Sequence, residues 1–213
     1  MIVETIISSI SFDDNVNFAP MGLHITDMDY GRVGYTPAGS ISLRLYPGSK
    51  TYANLKATGQ GVVNFTNNVL DFVDTALYSS CPSHKPSLKV RPPSMEQAHT
   101  IWEFTVSHFD SASMPALVEG KVVHCESKGG SSGFCRGQWA VLEAAIAATR
   151  WQFLPPEKII QPWPMWQDLV KKTGGRQEFE AFKKIGCFLA KKGILVPGRD
   201  LNEKDLNPDG IRS

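Results

Sequence analysis

No stretch of this sequence is apolar for the ~20 residues that a membrane-spanning helix requires, so a spanning protein is not expected. The opening MIVETIISSI is apolar but interrupted by Glu4, with no basic flank and no small-residue cleavage site after it, so no signal peptide is expected. An excess of charge of one sign is also missing. Lys and Arg (22) balance Asp and Glu (21) to a formal net charge of +1, which leaves no electrostatic footprint for nucleic acid. Cysteine is sparse. Cys81, Cys125, Cys135 and Cys187 form no C-x-x-C pair, and in a chain able to build a full core they predict free thiols in a reducing cytoplasm rather than a disulfide framework. Cys81-x-x-His84 together with His124-Cys125 could be taken for metal ligands. Structural metal sites show tighter, paired spacing, and buried thiols with loop histidines are the simpler account. The G-x-x-x-x-G-K-[ST] phosphate loop is absent, and no Ser-His-Asp or Cys-His constellation stands out for nucleophilic catalysis.

What is present is a change of texture along the chain. Residues 2–11 alternate and are rich in Ile, and 16–26, 39–46, 62–66, 100–109 and 116–125 carry further runs of strand character. The run from Val16 is interrupted by Ala19-Pro20-Met21-Gly22. A proline and a glycine inside a strand point to an edge, a bulge or a close backbone approach. Residues 79–95, with Pro82, Pro86, Pro92 and Pro93 among Ser, Lys and Arg, read as a long loop. Short strands with little helix favour a barrel or sandwich. After the Gly/Ser link at 127–133, helical spacing takes over. One helix is expected at 136–151, ended by Pro155 and Pro156. A short one has Pro164 in its first turn and ends at Gly174-Gly175. The last, 177–192, carries Phe179, Phe182, Ile185, Phe188 and Leu189 as one stripe. The expected fold class is mainly β with an α appendage: a β domain over 1–126, a helical region over 127–196 and a polar tail over 197–213.

The segment with the most chemistry is PGSKTYANLKATGQGVVNFT, residues 47–66. With Ser49 as N-cap, the first amides of a helix point outward from an end carrying partial positive charge. Lys50 adds a full charge, and the Ser49 and Thr51 hydroxyls add donors, a combination suited to a phosphomonoester. A plain capped helix with an exposed lysine fits the same residues. Glu143 and Arg150, seven apart on one helix face, either line a pocket or make structural ion pairs, and the structural role is the expectation. Gly129, Gly130 and Gly133 read as a hinge rather than an anion cradle.

In its order of elements the chain resembles the flavin-binding split-barrel superfamily, in particular the flavin-reductase-like branch. The likeness is carried by Asn17, Ala19 and Pro20, then Lys50 and Thr51, Asn54-Leu55 and Gly59, and Val62-Val63-Asn64. It resembles more closely still the domain of unknown function family 447, through IVETI at 2–6, NFAPMG at 17–22, GSKTYANL at 48–55 and VLEAAIAATR at 141–150. The departures are Leu142, where isoleucine is common, and the lengthened 79–95 loop. The resemblance implies an FMN-binding split β-barrel followed by a C-terminal helical region, forming a homodimer with FMN near its interface. Carried over by position, Ser49, Lys50 and Thr51 would hold the phosphate, and Ala19, Pro20, Met21 and Gly22 would offer backbone contacts to the isoalloxazine ring. Asn17, Asn54 and Asn64 would be polar neighbours, although Asn54 and Asn64 equally suit buried backbone groups. Arg44 would add charge near the phosphate or form a surface salt bridge. The implied activity is that of an FMN-dependent oxidoreductase or flavin reductase of unspecified substrate. The alternatives are an FMN carrier or sensor without turnover, and an interaction protein in which the Ser-Lys-Thr turn is only a cap. No nucleic acid and no membrane partner are implied.

Overall fold

The structure, a computed structural model, describes residues 2–24, 40–129 and 135–198. In chain order its elements are β1 (Ile2–Ile10), β2 (Val16–His24), β3 (Ser40–Leu45), α1 (Lys50–Thr58), β4 (Gln60–Phe65), α2 (Val69–Leu77), β5 (His84–Lys85), β6 (Ser94–Met95), β7 (Thr100–Asp110), β8 (Ala116–Ser127), α3 (Arg136–Thr149), α4 (Glu157–Ile160), α5 (Trp163–Thr173) and α6 (Arg176–Lys191). They form two compact units, Met1–Thr66 with Cys81–Ser131, and Asn67–Ser80 with Ser132–Ser213.

The first unit is a barrel closed in the order β1-β2-β3-β8-β7-β4. Its interior follows the period-2 alternation of each strand: Ile7, Leu23, Ile41, Leu43, Leu45, Val63, Trp102, Phe104 and Val118 point inward, and Leu55 of α1 joins them. Phe104 is fully buried, and two glycines make room for it. A Cβ on Gly61 would lie 2.5 Å from Phe104 Cζ, and one on Gly120 would lie 2.7 Å from Phe104 Cδ2. Real Cβ atoms do not approach so closely, so both positions exclude larger side chains.

β2 differs from the sequence expectation. Despite Pro20 and Gly22 it pairs with β1 residue for residue from Val16 to His24, without a bulge. Of the three explanations offered for that interruption, the edge and the close approach hold. A Cβ on Gly22 would meet Ile2 Cγ2 at 2.9 Å, and among the described residues β2 meets β3 only at Leu23↔Leu43 and His24↔Ser42. The irregular registers lie instead between β7 and β8, at Glu103/Phe104 and Val106/His108.

The 79–95 segment is more than a loop. From Cys81 to Ala98 it runs as a strap across the outside of the barrel, pinned by β5–β6 and by side chains from distant strands. Glu103, fully buried, accepts from the amides of Leu88 (2.9 Å) and Lys89 (2.6 Å). Asn64 Oδ1 accepts from Met95 N at 2.8 Å, Gln60 Oε1 from Arg91 N at 2.9 Å, and Ser8 Oγ donates to the Pro93 carbonyl at 2.5 Å. Lys85 pairs with Glu126 at 3.1 Å. The strap explains why β1 is buried on both faces from Thr5 to Ile10: Ile7 faces the barrel core and Ser8 lies beneath the strap.

The helical unit has its own core of Ala140, Val141, Ala144, Trp163, Phe179, Phe182, Ile185 and Leu189, among others. The three long helices match the sequence expectation, including Pro164 in the first turn of α5 and the α6 stripe, in which Phe188 is only partly buried. α2 was not anticipated. It is capped by Asn68, which accepts from Leu70 N at 3.1 Å, and it packs Val69 and Val73 into this core. Glu143 and Arg150 make no ion pair among the described residues, contrary to the structural pairing expected. Gly130, Gly133 and the tail beyond residue 198 lie outside the described residues.

Candidate functional site

The elements that build the site are the N-terminus of α1 and the edge of β2. Gly48, at φ +92°, turns the chain after β3 and Ser49 caps the helix. Its backbone is extended, and Oγ accepts from Tyr52 N at 3.2 Å while donating to the Tyr46 carbonyl at 3.0 Å. The Ser49 hydroxyl is thus committed to the cap. Beyond the cap, the amides of Lys50 and Thr51 have no acceptor among the described residues, as expected for the first turn of a helix. The first turn carries no acidic residue, and Lys50 is exposed beside it. Fixed donors, a helix dipole and one flexible cation therefore converge, with no acidic residue in that turn, an arrangement that fits a phosphate.

The side chains of Thr51 and Asn54 reach the neighbouring strands. Thr51 is 1% exposed, and its Oγ1 accepts from Asn17 Nδ2 of β2 at 3.1 Å. Asn54 Nδ2 donates to Ser9 Oγ of β1 at 3.1 Å. These two bonds and Leu55 dock α1 against β1, β2 and the barrel core. Gly59, in the left-handed region at φ +65°, ends the helix by donating to the Leu55 carbonyl.

The edge of β2 supplies the second half. Thr5 Oγ1 donates to the Met21 carbonyl at 3.0 Å, so that carbonyl faces β1. Alternation along the strand then turns the Pro20 carbonyl and the Gly22 amide toward the opposite edge. Among the described residues that edge has no ladder partner below Leu23. Ala19, Pro20, Met21 and Gly22 are all half-buried. The strap approaches from the outer face, where the His84 ring packs on Phe18 at 5.6 Å.

The structure thus brings Asn17, Ser49, Lys50, Thr51 and Asn54 together around α1, with Ala19 to Gly22 continuing along the same strand as Asn17. Arg44 is exposed on β3, one step past the last β2–β3 pair, on the outer face and opposite Gly22 by register. Asn64 stands apart. It is fully buried, with Nδ2 donating to the Ile6 carbonyl at 3.0 Å and Oδ1 accepting from Met95 N at 2.8 Å. Its amide is therefore engaged on the strap side of the barrel. Sequence reading did not single out Ser8 and Glu103, the other two buried polar residues that pin the strap. Glu103 alone carries a signal, as an acid within the strongly apolar stretch IWEF.

The shifted titrating groups lie elsewhere. Burial lowers His99 and raises the Cys125 thiol. In the helical unit burial raises Asp71, with the charge of Asp74 adding to it. Cys81 Sγ lies 3.7 Å from His84 Nδ1. Among the described residues no group of three or more His, Cys, Asp or Glu is placed to hold a metal ion, and no helix is long and apolar enough to cross a membrane.

A six-stranded barrel with a short β2–β3 pairing among the described residues, and a helix docked against β1 and β2, is a split-barrel fold. Within that class the chain belongs to the DUF447 family. The family's "Protein of unknown function (DUF447) N-terminal domain" matches residues 3–128, and "Protein of unknown function (DUF447)" matches residues 135–186. Among solved structures it is similar to an FMN-bound protein of the same family from Methanosarcina mazei, with 22% identity and a TM-score of 0.73, over 88% of this chain and 95% of that one. It is also similar to nitrilotriacetate monooxygenase component B from Bacillus cereus, with 18% identity and a TM-score of 0.48, over 60% of this chain and 70% of that one. Flavoredoxin from Methanosarcina acetivorans shows 11% identity and a TM-score of 0.49, over 59% of this chain and 68% of that one. The first likeness establishes the fold. The other two are too distant to add to it.

Proposed function

We propose that this chain binds FMN, with the phosphate at the N-terminus of α1 and the isoalloxazine ring along the open edge of β2, and that it serves as a flavin-dependent oxidoreductase. One observation carries the proposal: among the described residues, the first-turn amides of Lys50 and Thr51 have no acceptor, and the Pro20 carbonyl and Gly22 amide on the edge of the neighbouring strand have no ladder partner. The first suits a phosphate. The second suits the polar rim of a flat heterocycle, which hydrogen-bonds with backbone groups. Similarity to an FMN-bound protein of the same family supports this choice of ligand.

The division of labour follows from the residues. When bound, the flavin supplies hydride and single-electron chemistry. Residues 17–22 contain no titratable side chain, so this edge orients the ring and excludes water rather than moving protons. Lys50 and the α1 amides hold the phosphate. Arg44, exposed on β3, adds charge on the outer face. A homodimer in a reducing cytoplasm accompanies the proposal, and all four cysteines stand as free thiols.

The test has two stages. The ligand released from purified protein is identified by spectrum and mass, and FMN and riboflavin are titrated separately. Lys50→Ala combined with Thr51→Ala should weaken FMN about a hundredfold or more, as expected for two lost charge-assisted hydrogen bonds, while riboflavin, lacking the phosphate, is unaffected. Unchanged FMN affinity would refute the site. Anaerobic mixing of the FMN-loaded protein with NADH or NADPH then separates an oxidoreductase from a carrier: bleaching of the flavin spectrum is expected, and failure with both nucleotides counts against an NAD(P)H-linked enzyme.

A further inference from the structure

We infer that Asn17 is a positioning residue for the phosphate grip: its side-chain amide sets the direction of the Thr51 hydroxyl, so that the hydroxyl proton is donated to the ligand. The inference rests on FMN being the ligand of that site. A threonine hydroxyl has one proton to donate and two lone pairs to accept with. Thr51 Oγ1 uses a lone pair on Asn17 Nδ2 at 3.1 Å. Helical threonines ordinarily return their proton to a carbonyl one turn back, and four among the described residues do: Thr58 to Asn54 at 2.9 Å, Thr75 to Asp71 at 2.6 Å, Thr149 to Ile146 at 2.7 Å and Thr173 to Leu169 at 2.8 Å. Thr51 does not. It lies in the first turn of α1, and among the described residues its proton has no acceptor.

The result is a hydroxyl on a residue that is 1% exposed, held as an acceptor on one side and without an acceptor for its proton among the described residues. Leaving a buried donor unmatched is unfavourable. Here the donor adjoins the unmatched amides of Lys50 and Thr51 at the positive end of the helix. An anion there satisfies all three. Asn17 is suited to the task because it presents N–H rather than oxygen to Thr51, and because it stands on β2 two residues before Ala19. The same side chain therefore ties the phosphate turn to the strand that meets the ring, and fixes one relative to the other.

This assigns Asn17 an effect on the phosphate alone, which a ring contact or a general packing role would not show. The measurement is the ratio of FMN to riboflavin affinity, taken by fluorescence quenching on variants whose circular dichroism and Tm show a retained fold. Asn17→Asp, which presents only acceptors to Thr51, should weaken FMN about 10- to 100-fold and leave riboflavin unchanged. Thr51→Val should do the same. In the Thr51→Val background, Asn17→Ala should change the ratio no further, because the two residues act through one proton. Equal weakening of both flavins, or additive effects in the double variant, would overturn the inference. Asn17→Asp is near-isosteric and carries the test if Asn17→Ala does not fold. Wild-type protein that binds neither flavin would instead overturn FMN as the ligand.

Discussion

Replacing Glu103 by glutamine should loosen the strap at one point while leaving the barrel closed. Glu103 has no exposed surface, and its two oxygens accept from the amides of Leu88 at 2.9 Å and Lys89 at 2.6 Å. Glutamine keeps the shape and one oxygen, but its amide group then faces an amide N–H, donor against donor. One hydrogen bond to a charged acceptor is lost, at about 1.5–3 kcal/mol, and a half-buried backbone N–H is left unmatched, at about 1–3 kcal/mol. Removal of the charge returns part of its desolvation cost. The net loss expected is about 2–4 kcal/mol, or roughly 5–15 °C in Tm for a chain of this length. Two assays report on it together. Calorimetry gives the loss of stability. Hydrogen exchange should show accelerated exchange at Leu88 and Lys89 with protection in β8 unchanged, because the strap opens without the ladder. Unaltered exchange at these two amides would refute the clamp, and so would faster exchange throughout the barrel.

Two further outcomes follow from the packing and the charges. Gly61→Ala places a methyl 2.5 Å from Phe104 Cζ and 3.1 Å from Leu55 Cδ2, so it should destabilise by about 1–3 kcal/mol, and Phe104→Leu in the same chain should recover part of the loss. Additive denaturant midpoints would contradict this. In the helical unit, burial and then Asp74 raise the Asp71 pKa above its ordinary 3.8, with Asn68 partly opposing. The folded state therefore holds that proton more tightly than the unfolded chain. The stability it contributes is present below 3.8 and is lost as pH rises through the raised folded value. Asp71→Asn should accordingly raise Tm at neutral pH, with the gain vanishing below pH 3.8. A gain independent of pH would sink the explanation.

What was legible in the sequence was what repeats. Alternation in β1, β3, β7 and β8, and the α6 stripe of Phe179, Phe182, Ile185 and Leu189, are periodic signals, and the structure follows them. The Ser49 cap and the Gly59 stop were legible because each is a residue type demanded by a local backbone state. The strap was not legible. It has almost no secondary structure of its own, and the groups that hold it, Ser8, Asn64 and Glu103, are single side chains from strands distant in sequence. α2 was missed for a different reason. VLDFVDTAL puts Val69, Phe72 and Val73 at helical spacing, but it is only nine residues long between two loops, and only Asn68 with Asp71 three residues on marks its start. The continuity of β2 was masked by Pro20. The sequence announces the residue that cannot donate to a ladder, but not which of the strand's two edges lacks a partner.

That last point bears on why the proposed site lies where it does. A closed barrel pairs its strand edges, so its backbone offers nothing to a ligand except where closure lapses. The interior is no alternative, because Phe104, Trp102, Leu43 and Leu55 fill it. Among the described residues the short β2–β3 pairing is one such lapse, and α1 starts close to it because Thr51 and Asn54 bond to β2 and β1. An open edge is also a hazard, since any extended segment can add to it. Pro20 removes one donor from the edge and so weakens such pairing, while its carbonyl and the Gly22 amide remain. A strand added from another chain needs a continuous row of partners, whereas a flat ring needs only a few. Pro20 therefore favours a small planar ligand over a strand at this edge, and that selectivity is built into the backbone before any side chain is considered.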